Sequence, residues 1–333
     1  MRHLFLLVFF IATHSVHQCL AQTPQPLPPV NLGATSFLDG APPDGDGLYL
    51  MQYVQYYGAS RVKDGNGQTI PLPGPDLDAW TSLTQLIKVW DVDLGGGAKP
   101  ALDILVPVVD LDLDFASPIP GPSANSGGLG DILIGPGIQF APIMGKKGPL
   151  FVQRLEAQFI LPTGDYDRAN EINPGSNFFS FNPYWASTMF LGPKMSASVR
   201  AHYLWNATNN APAFSTGANS TRAGEAFHMN FALSREILPC GSPSACDAAP
   251  SAGPPPGPKL RIGINGYYLK QTTDLEVNGI DVPGFREQVF GIGPGCILSL
   301  SPQKHFFFNS YWEDYAENRT EGYRMTLRYV HKF

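Results

Sequence analysis

The stretch Tyr323 to Phe333 alternates over most of its length. Tyr323, Met325, Leu327, Tyr329 and Phe333 fall on one parity, and Arg324, Thr326, Arg328 and Lys332 on the other. A strand turns successive side chains to opposite faces, so the pattern specifies a strand with one greasy and one cationic side. The same period recurs along the chain, and no apolar run beyond its start approaches the ~20 residues that a membrane helix needs. A soluble sandwich also holds two-faced strands. The recurrence of the pattern behind a secretory leader favours a membrane, which admits strands only as a closed barrel. The expected fold class is all-β: a transmembrane antiparallel β-barrel of about 12 strands.

The leader is Met1 to Ala21, with Arg2 and His3 before an apolar core from Leu4 to Ala12 and a small residue at the end of Cys19-Leu20-Ala21. This is the form of a signal peptide cut before Gln22. Residues 22–47 form a Pro/Gly-rich periplasmic lead-in or plug, and 48–333 the outer-membrane β-barrel. Within the lead-in, Phe37 and Leu38 need an apolar place, which favours insertion of Asn31 to Gly47 into the barrel mouth.

Strands are expected over Leu48–Tyr57, Thr81–Asp93, Ala101–Phe115, Ile132–Phe140, Phe151–Leu161, Phe178–Leu191, Met195–Asn206, Phe227–Leu233, Leu260–Gln271, Phe290–Leu300, His305–Ala316 and Tyr323–Phe333. Tyr49, Tyr53, Tyr56 and Tyr57 on the first suggest an aromatic girdle at the lipid headgroups. The sixth and eleventh are aromatic on both parities, so their faces cannot be assigned. With the N-terminus periplasmic, the connections alternate between long polar loops outside and short turns inside. The segment Pro239 to Pro258 and the brief Glu317 to Gly322 break that rule.

Charged residues make up 15% of the chain, against roughly 25% in an average soluble domain. The net charge of -6 and the lack of a basic, aromatic-interleaved patch exclude nucleic acid as a partner. There is no HExxH or clustered Cys/His pattern for a metal and no cofactor motif. Cys240 and Cys246 are close enough in sequence for a loop-stapling disulfide in an exported chain. Cys296 reads as a small apolar residue on a strand.

A charge facing lipid at mid-bilayer costs roughly 2 to 4 kcal/mol in a barrel, so the polar parity should face inward. The lumen-facing candidates are Arg154, Glu156, Gln158, Arg200, His202, His228, Arg261, Asn265, Tyr267, Arg324 and Arg328. Twelve strands enclose more room than side chains fill unaided, which favours a plugged or ligand-conducting lumen. Glycines at 135, 137, 263, 291, 293 and 295 suggest bends in the wall or space for a ligand. Tyr329 and the final Phe333 are the expected assembly signal, read by the barrel-assembly machinery.

Several motifs resemble the outer-membrane proteins of the phenol meta-pathway degradation family. They are G-L-G-D at Gly128 to Asp131, P-T-G-D-Y-D at Pro162 to Asp167, G-S-N at Gly175 to Asn177, N-G-Y-Y-L-K-Q-T-T-D at Asn265 to Asp274, G-I-G-P-G at Gly291 to Gly295, and the opening N-L-G-A-T-S-F-L-D-G-A-P-P. The resemblance implies a barrel in the outer membrane of a Gram-negative bacterium, similar in outline to hydrophobic-compound channels, with outer-membrane lipid and a small hydrophobic or aromatic solute as partners. It supplies no catalytic residues. Passive uptake is the favoured reading, and a structural or adhesive barrel is its alternative. The enzymatic alternative, a lipid hydrolase, would pair His202 with Ser198 or Ser196, or His228 with Asn230, although no nucleophile motif marks them.

Overall fold

The computed structural model describes residues 25–40, 45–71, 75–115, 122–146, 148–192, 194–237 and 258–333. Cys240 and Cys246, and the leader, lie outside them. Twelve strands run in chain order: β1 Gly47–Val62, β2 Pro75–Val89, β3 Lys99–Phe115, β4 Gly127–Leu129 with Ile132–Gln139, β5 Gly148–Glu156 with Phe159–Leu161, β6 Ser180–Phe181 with Tyr184–Phe190, β7 Met195–Asn206, β8 Ala226–Ile237, β9 Lys259–Gln271, β10 Gln288–Ser301, β11 Lys304–Glu317 and β12 Thr320–Lys332. Each pairs antiparallel with the next, and β1 pairs with β12, from Tyr49 opposite Lys332 to Val62 opposite Thr320. The sheet therefore closes on itself and keeps no free edge.

The alternation sorts side chains to two environments. Val54, Leu86, Leu155, Leu233, Ile264 and Leu327 point outward and are 42–55% exposed. A belt of that kind around a whole molecule is a surface for lipid. Aromatic clusters border it. Tyr56 packs against Trp80 and Tyr323 near the long-loop end, with ring centroids 4.8 and 5.5 Å apart, and Phe306 packs against Tyr329 near the short-turn end at 4.9 Å. Among the described residues no helix is long and apolar enough to cross a membrane.

The first strand corrects one expectation. Only Tyr56 of its tyrosines joins the girdle; Tyr49, Tyr53 and Tyr57 share the odd parity and are buried inside. The two strands whose faces the alternation left open have local causes. In β6 the ladder is interrupted at Asn182-Pro183. In β11 the lumen side is itself aromatic, with Phe307 and Tyr311 inside against Phe306, Phe308 and Trp312 outside. Beyond them Tyr315, at φ 54, marks an irregularity opposite β10 that shifts the alternation by one. β2 also begins earlier than expected, at Pro75, and ends earlier, at Val89. Its acidic tip pairs Asp78 with Asp112. Like charges directly opposite are tolerable only in water, so this hairpin stands clear of the bilayer. A small sheet of Thr221–Arg222, Leu275–Val277 and Ile280–Val282, which periodicity did not mark, sits among the long loops.

The core of the molecule is the barrel interior, and residues 25–40 run through it. Leu32 packs with Tyr267, Leu269, Val289 and Tyr311, and Phe37 with Tyr49, Met51, Tyr53 and Ile297. An extended segment inside a barrel has no strand partners of its own, so its peptide groups must find side chains. The inward polar residues supply them.

Candidate functional site

The path of residues 25–40 can be followed through its hydrogen bonds. At the long-loop end the Gln25 side chain accepts from Thr221 Oγ1 at 2.7 Å, and the Leu27 N–H donates to Glu287 at 3.2 Å. Midway, Asn230 accepts from the Gly33 N–H at 2.8 Å and donates to the Asn31 carbonyl at 3.1 Å. The Tyr311 hydroxyl donates to the Gly33 carbonyl at 2.9 Å. Gly33 is left-handed at φ 77, and a Cβ there would lie 2.5 Å from the Tyr311 ring, so only glycine suits the site. Toward the short-turn end Arg200 grips Asp39 with two bonds, Nε to Oδ2 at 2.8 Å and Nη2 to Oδ1 at 2.6 Å. Gln139 donates to the Gly40 carbonyl at 2.9 Å. Phe37 lies against Gly263, where a Cβ would come within 2.8 Å of the ring.

Burial raises the cost of a charge at Asp39, but the Arg200 guanidinium, helped by Arg328, more than offsets this and holds the carboxyl below its ordinary range. Glu287 shows the opposite balance. Burial pushes its carboxyl up, against the pull of Arg319 at 3.4 Å.

Of the sequence candidates, Arg154, Glu156, Gln158, Arg200, His202, His228, Arg261, Asn265, Tyr267 and Arg328 are all buried, and Arg324 is half-buried under the rings of Tyr57 and Tyr267. They do not form one site. Around Glu313, Tyr57 and Tyr267 each donate a hydroxyl, at 2.7 and 2.8 Å. Arg154 stands 4.0 Å from Glu156, which accepts the Tyr184 hydroxyl at 2.6 Å. Arg261 bonds Ser196, Ser234 and Glu236. Gln158 accepts from Asn182, and Asn265 donates to wall carbonyls. His202 and His228 stack at 4.2 Å, with His228 Nε2 3.0 Å from Asn182 Oδ1. The serines required by the hydrolase reading are engaged elsewhere: Ser198 Oγ bonds Thr188 and the Leu38 N–H, and Ser196 Oγ bonds Ser234. No bond joins either serine to His202 or His228 among the described residues. Phe333 is exposed, its N–H donating to the Leu48 carbonyl at 3.0 Å, and Tyr329 faces outward.

The lumen candidates read from the sequence omit Asp39, Asp103 and Gln85, and Tyr53 is placed among the girdle tyrosines. Tyr53 donates to Gln85, which donates to Asp103, both at 2.6 Å. All three share the inward parity of their strands, which was the available signal. Asp39, in a segment without periodicity, had none.

Below the threaded segment, toward the short turns, the lumen opens into a cavity of about 1020 Å³. Its walls include Phe37, Met51, Ile87, Ile297 and Phe307, with Arg154, Arg200, Arg261 and Arg328 among them. This geometry can hold a compact solute with a large apolar surface and a polar end.

A closed twelve-stranded barrel with an apolar exterior and a polar, partly filled lumen defines a membrane-spanning barrel of the outer-membrane class. The family described as "Putative MetA-pathway of phenol degradation" matches residues 59–329, and the chain belongs to it. Among solved structures it is similar to an outer membrane channel from Pseudomonas putida F1, with a TM-score of 0.70 and 16% identity over 92% of this chain and 100% of that one. It is also similar to the β domain of a Bordetella autotransporter, with a TM-score of 0.47 and 12% identity over 86% of this chain and 100% of that one. At these identities the first likeness is one of fold. No curated protein matches the chain in sequence.

Proposed function

We propose that this protein is a channel for passive entry of small hydrophobic or aromatic compounds across the outer membrane, and not an enzyme. The observation that carries the reading is the cavity of about 1020 Å³ inside the barrel, apolar on most of its wall and closed above by residues 25–40. A barrel built only to span the membrane has no need of such a space. The family's connection with phenol degradation and the fold shared with the Pseudomonas outer membrane channel agree with it. Long loops face the exterior, as in other barrels. In this reading residues 25–40 are a plug. The bonds to Asn230, Tyr311 and Arg200 hold it, and its displacement opens the path.

The test is uptake of a labelled aromatic hydrocarbon by vesicles that carry lipopolysaccharide and the purified protein. Removal of residues 25–40 should raise the rate several-fold over the intact chain. Vesicles as tight as protein-free controls with both forms would rule the channel out.

A further inference from the structure

The cavity is unequally charged. Six Lys and Arg side chains line it against three Asp and Glu. Each carboxylate is already taken: Asp39 by Arg200 at 2.6 Å, Asp46 by Lys99 at 3.1 Å and Glu236 by Arg261 at 3.4 Å. Arg154 is shared between Gln139 at 3.3 Å and Glu156. Lys259 stands at the start of β9. Of the arginines, that leaves Arg328, deep in the wall.

Arg328 is 7% exposed, and among the described residues it forms no ion pair. Its Nε has no hydrogen-bond partner. Asp39 attracts it from beyond contact distance, but that carboxylate is committed to Arg200. What holds Arg328 is register. On β12 it lies opposite Tyr53 of β1 and Phe307 of β11, and its guanidinium sits 3.7 Å over the Phe307 ring and 5.8 Å from that of Tyr53. Phe307 covers one side of the guanidinium and the Tyr53 hydroxyl lies within hydrogen-bonding reach of it, so Nε and the N–H groups that Tyr53 does not take can bind a planar anion. A buried cation without an ion-pair partner is costly, and an arriving carboxylate relieves that cost. Phe37, Met51, Ile297 and Val330 supply apolar wall beside it.

We infer that this cavity binds small aromatic carboxylates, with the carboxylate on the Arg328 guanidinium and the ring against Phe307 and Phe37. Neutral phenols, which ionise only near pH 10, leave Arg328 unpaired and bind through area alone. The inference deepens the channel reading, and its transport consequence rests on it, whereas binding can be measured independently.

Equilibrium dialysis of the full mature chain in detergent against labelled benzoate and labelled benzyl alcohol tests it. Benzoate should bind more tightly than benzyl alcohol. Arg328→Gln should weaken benzoate roughly tenfold or more, the scale of a lost charge-assisted bond, and leave benzyl alcohol unchanged. Arg328→Lys should retain part of the benzoate affinity, which a purely structural role for the arginine would not produce. Heat-modifiable migration on gels shows whether each variant is folded. Equal loss for both compounds, benzoate binding indifferent to Arg328→Gln, or no benzoate binding by the wild-type protein overturns the inference. In planar bilayers a channel that passes benzyl alcohol but excludes benzoate would sink this inference while sparing the channel, and a barrel that passes neither would sink the channel while the dialysis result stands.

Discussion

At the scale of single residues, the contact that fastens the threaded segment is Arg200 on Asp39, a bidentate pair with both side chains about nine-tenths buried. Removing either partner strands the other charge in the lumen. Arg200→Gln and Asp39→Asn should each loosen the segment, and the double variant should be milder than the sum, with a coupling of about 1.5–3 kcal/mol by double-mutant cycle. Acid should act at the same point. Because the native carboxyl of Asp39 is lowered, its contribution is fully present above the unfolded value of about 3.9 and disappears as pH falls through the lower native value. Cleavage of residues 25–40 by pepsin should therefore accelerate below that threshold, and Asp39→Asn should remove the step. This residue was invisible in the sequence. Phe37 and Leu38 demanded an apolar site through their own chemistry, but the partner of Asp39 lies 161 positions away, and no local pattern encodes a contact across that distance. The tyrosines of β1 misled for a different reason: a ring with a hydroxyl suits a headgroup layer and a polar lumen equally well, and only parity separates Tyr56 from Tyr53.

At the scale of the strand, period-2 patterning carried most of the architecture. In β5, β7, β8, β9 and β12 one solvent is hydrocarbon and the other a polar interior, so the two parities differ in composition and the strand can be located by eye. Where the interior is also apolar, as along β11 with Phe307 and Tyr311 inside, that contrast vanishes and the face cannot be read. The Asp-rich end of β3 was legible as strand up to Phe115, but the start of β2 was hidden, because its acidic tip at Asp76 and Asp78 looks like loop and yet continues the ladder. The outward face makes its own prediction. Leu327→Arg places a charge in the apolar belt and should cost roughly 2–4 kcal/mol if near mid-bilayer, whereas Arg328→Leu, one position on, leaves the belt untouched. Denaturant unfolding from lipid vesicles would show the difference, and a Leu327→Arg barrel as stable as wild type would contradict the assignment of faces.

At the scale of the whole molecule, the interior is divided between an ordered segment in the outer part and a cavity in the inner part. That division predicts two separable phenotypes. Loss of residues 25–40 should raise passage of every solute, while substitutions in the cavity wall should change which solutes pass. Phe37→Ala lies at the boundary between them. It should destabilise the seated segment by about 3–5 kcal/mol as a buried aromatic truncation, detected as a lowered melting temperature, and also enlarge the cavity. The join of β1 to β12 has a temporal consequence. The first strand to be synthesised has to leave one edge vacant until the last has emerged, so closure cannot proceed progressively from the amino terminus. Until then the nascent cylinder presents two complementary borders to any neighbour, and assembly must be guarded for the entire duration of translation and export.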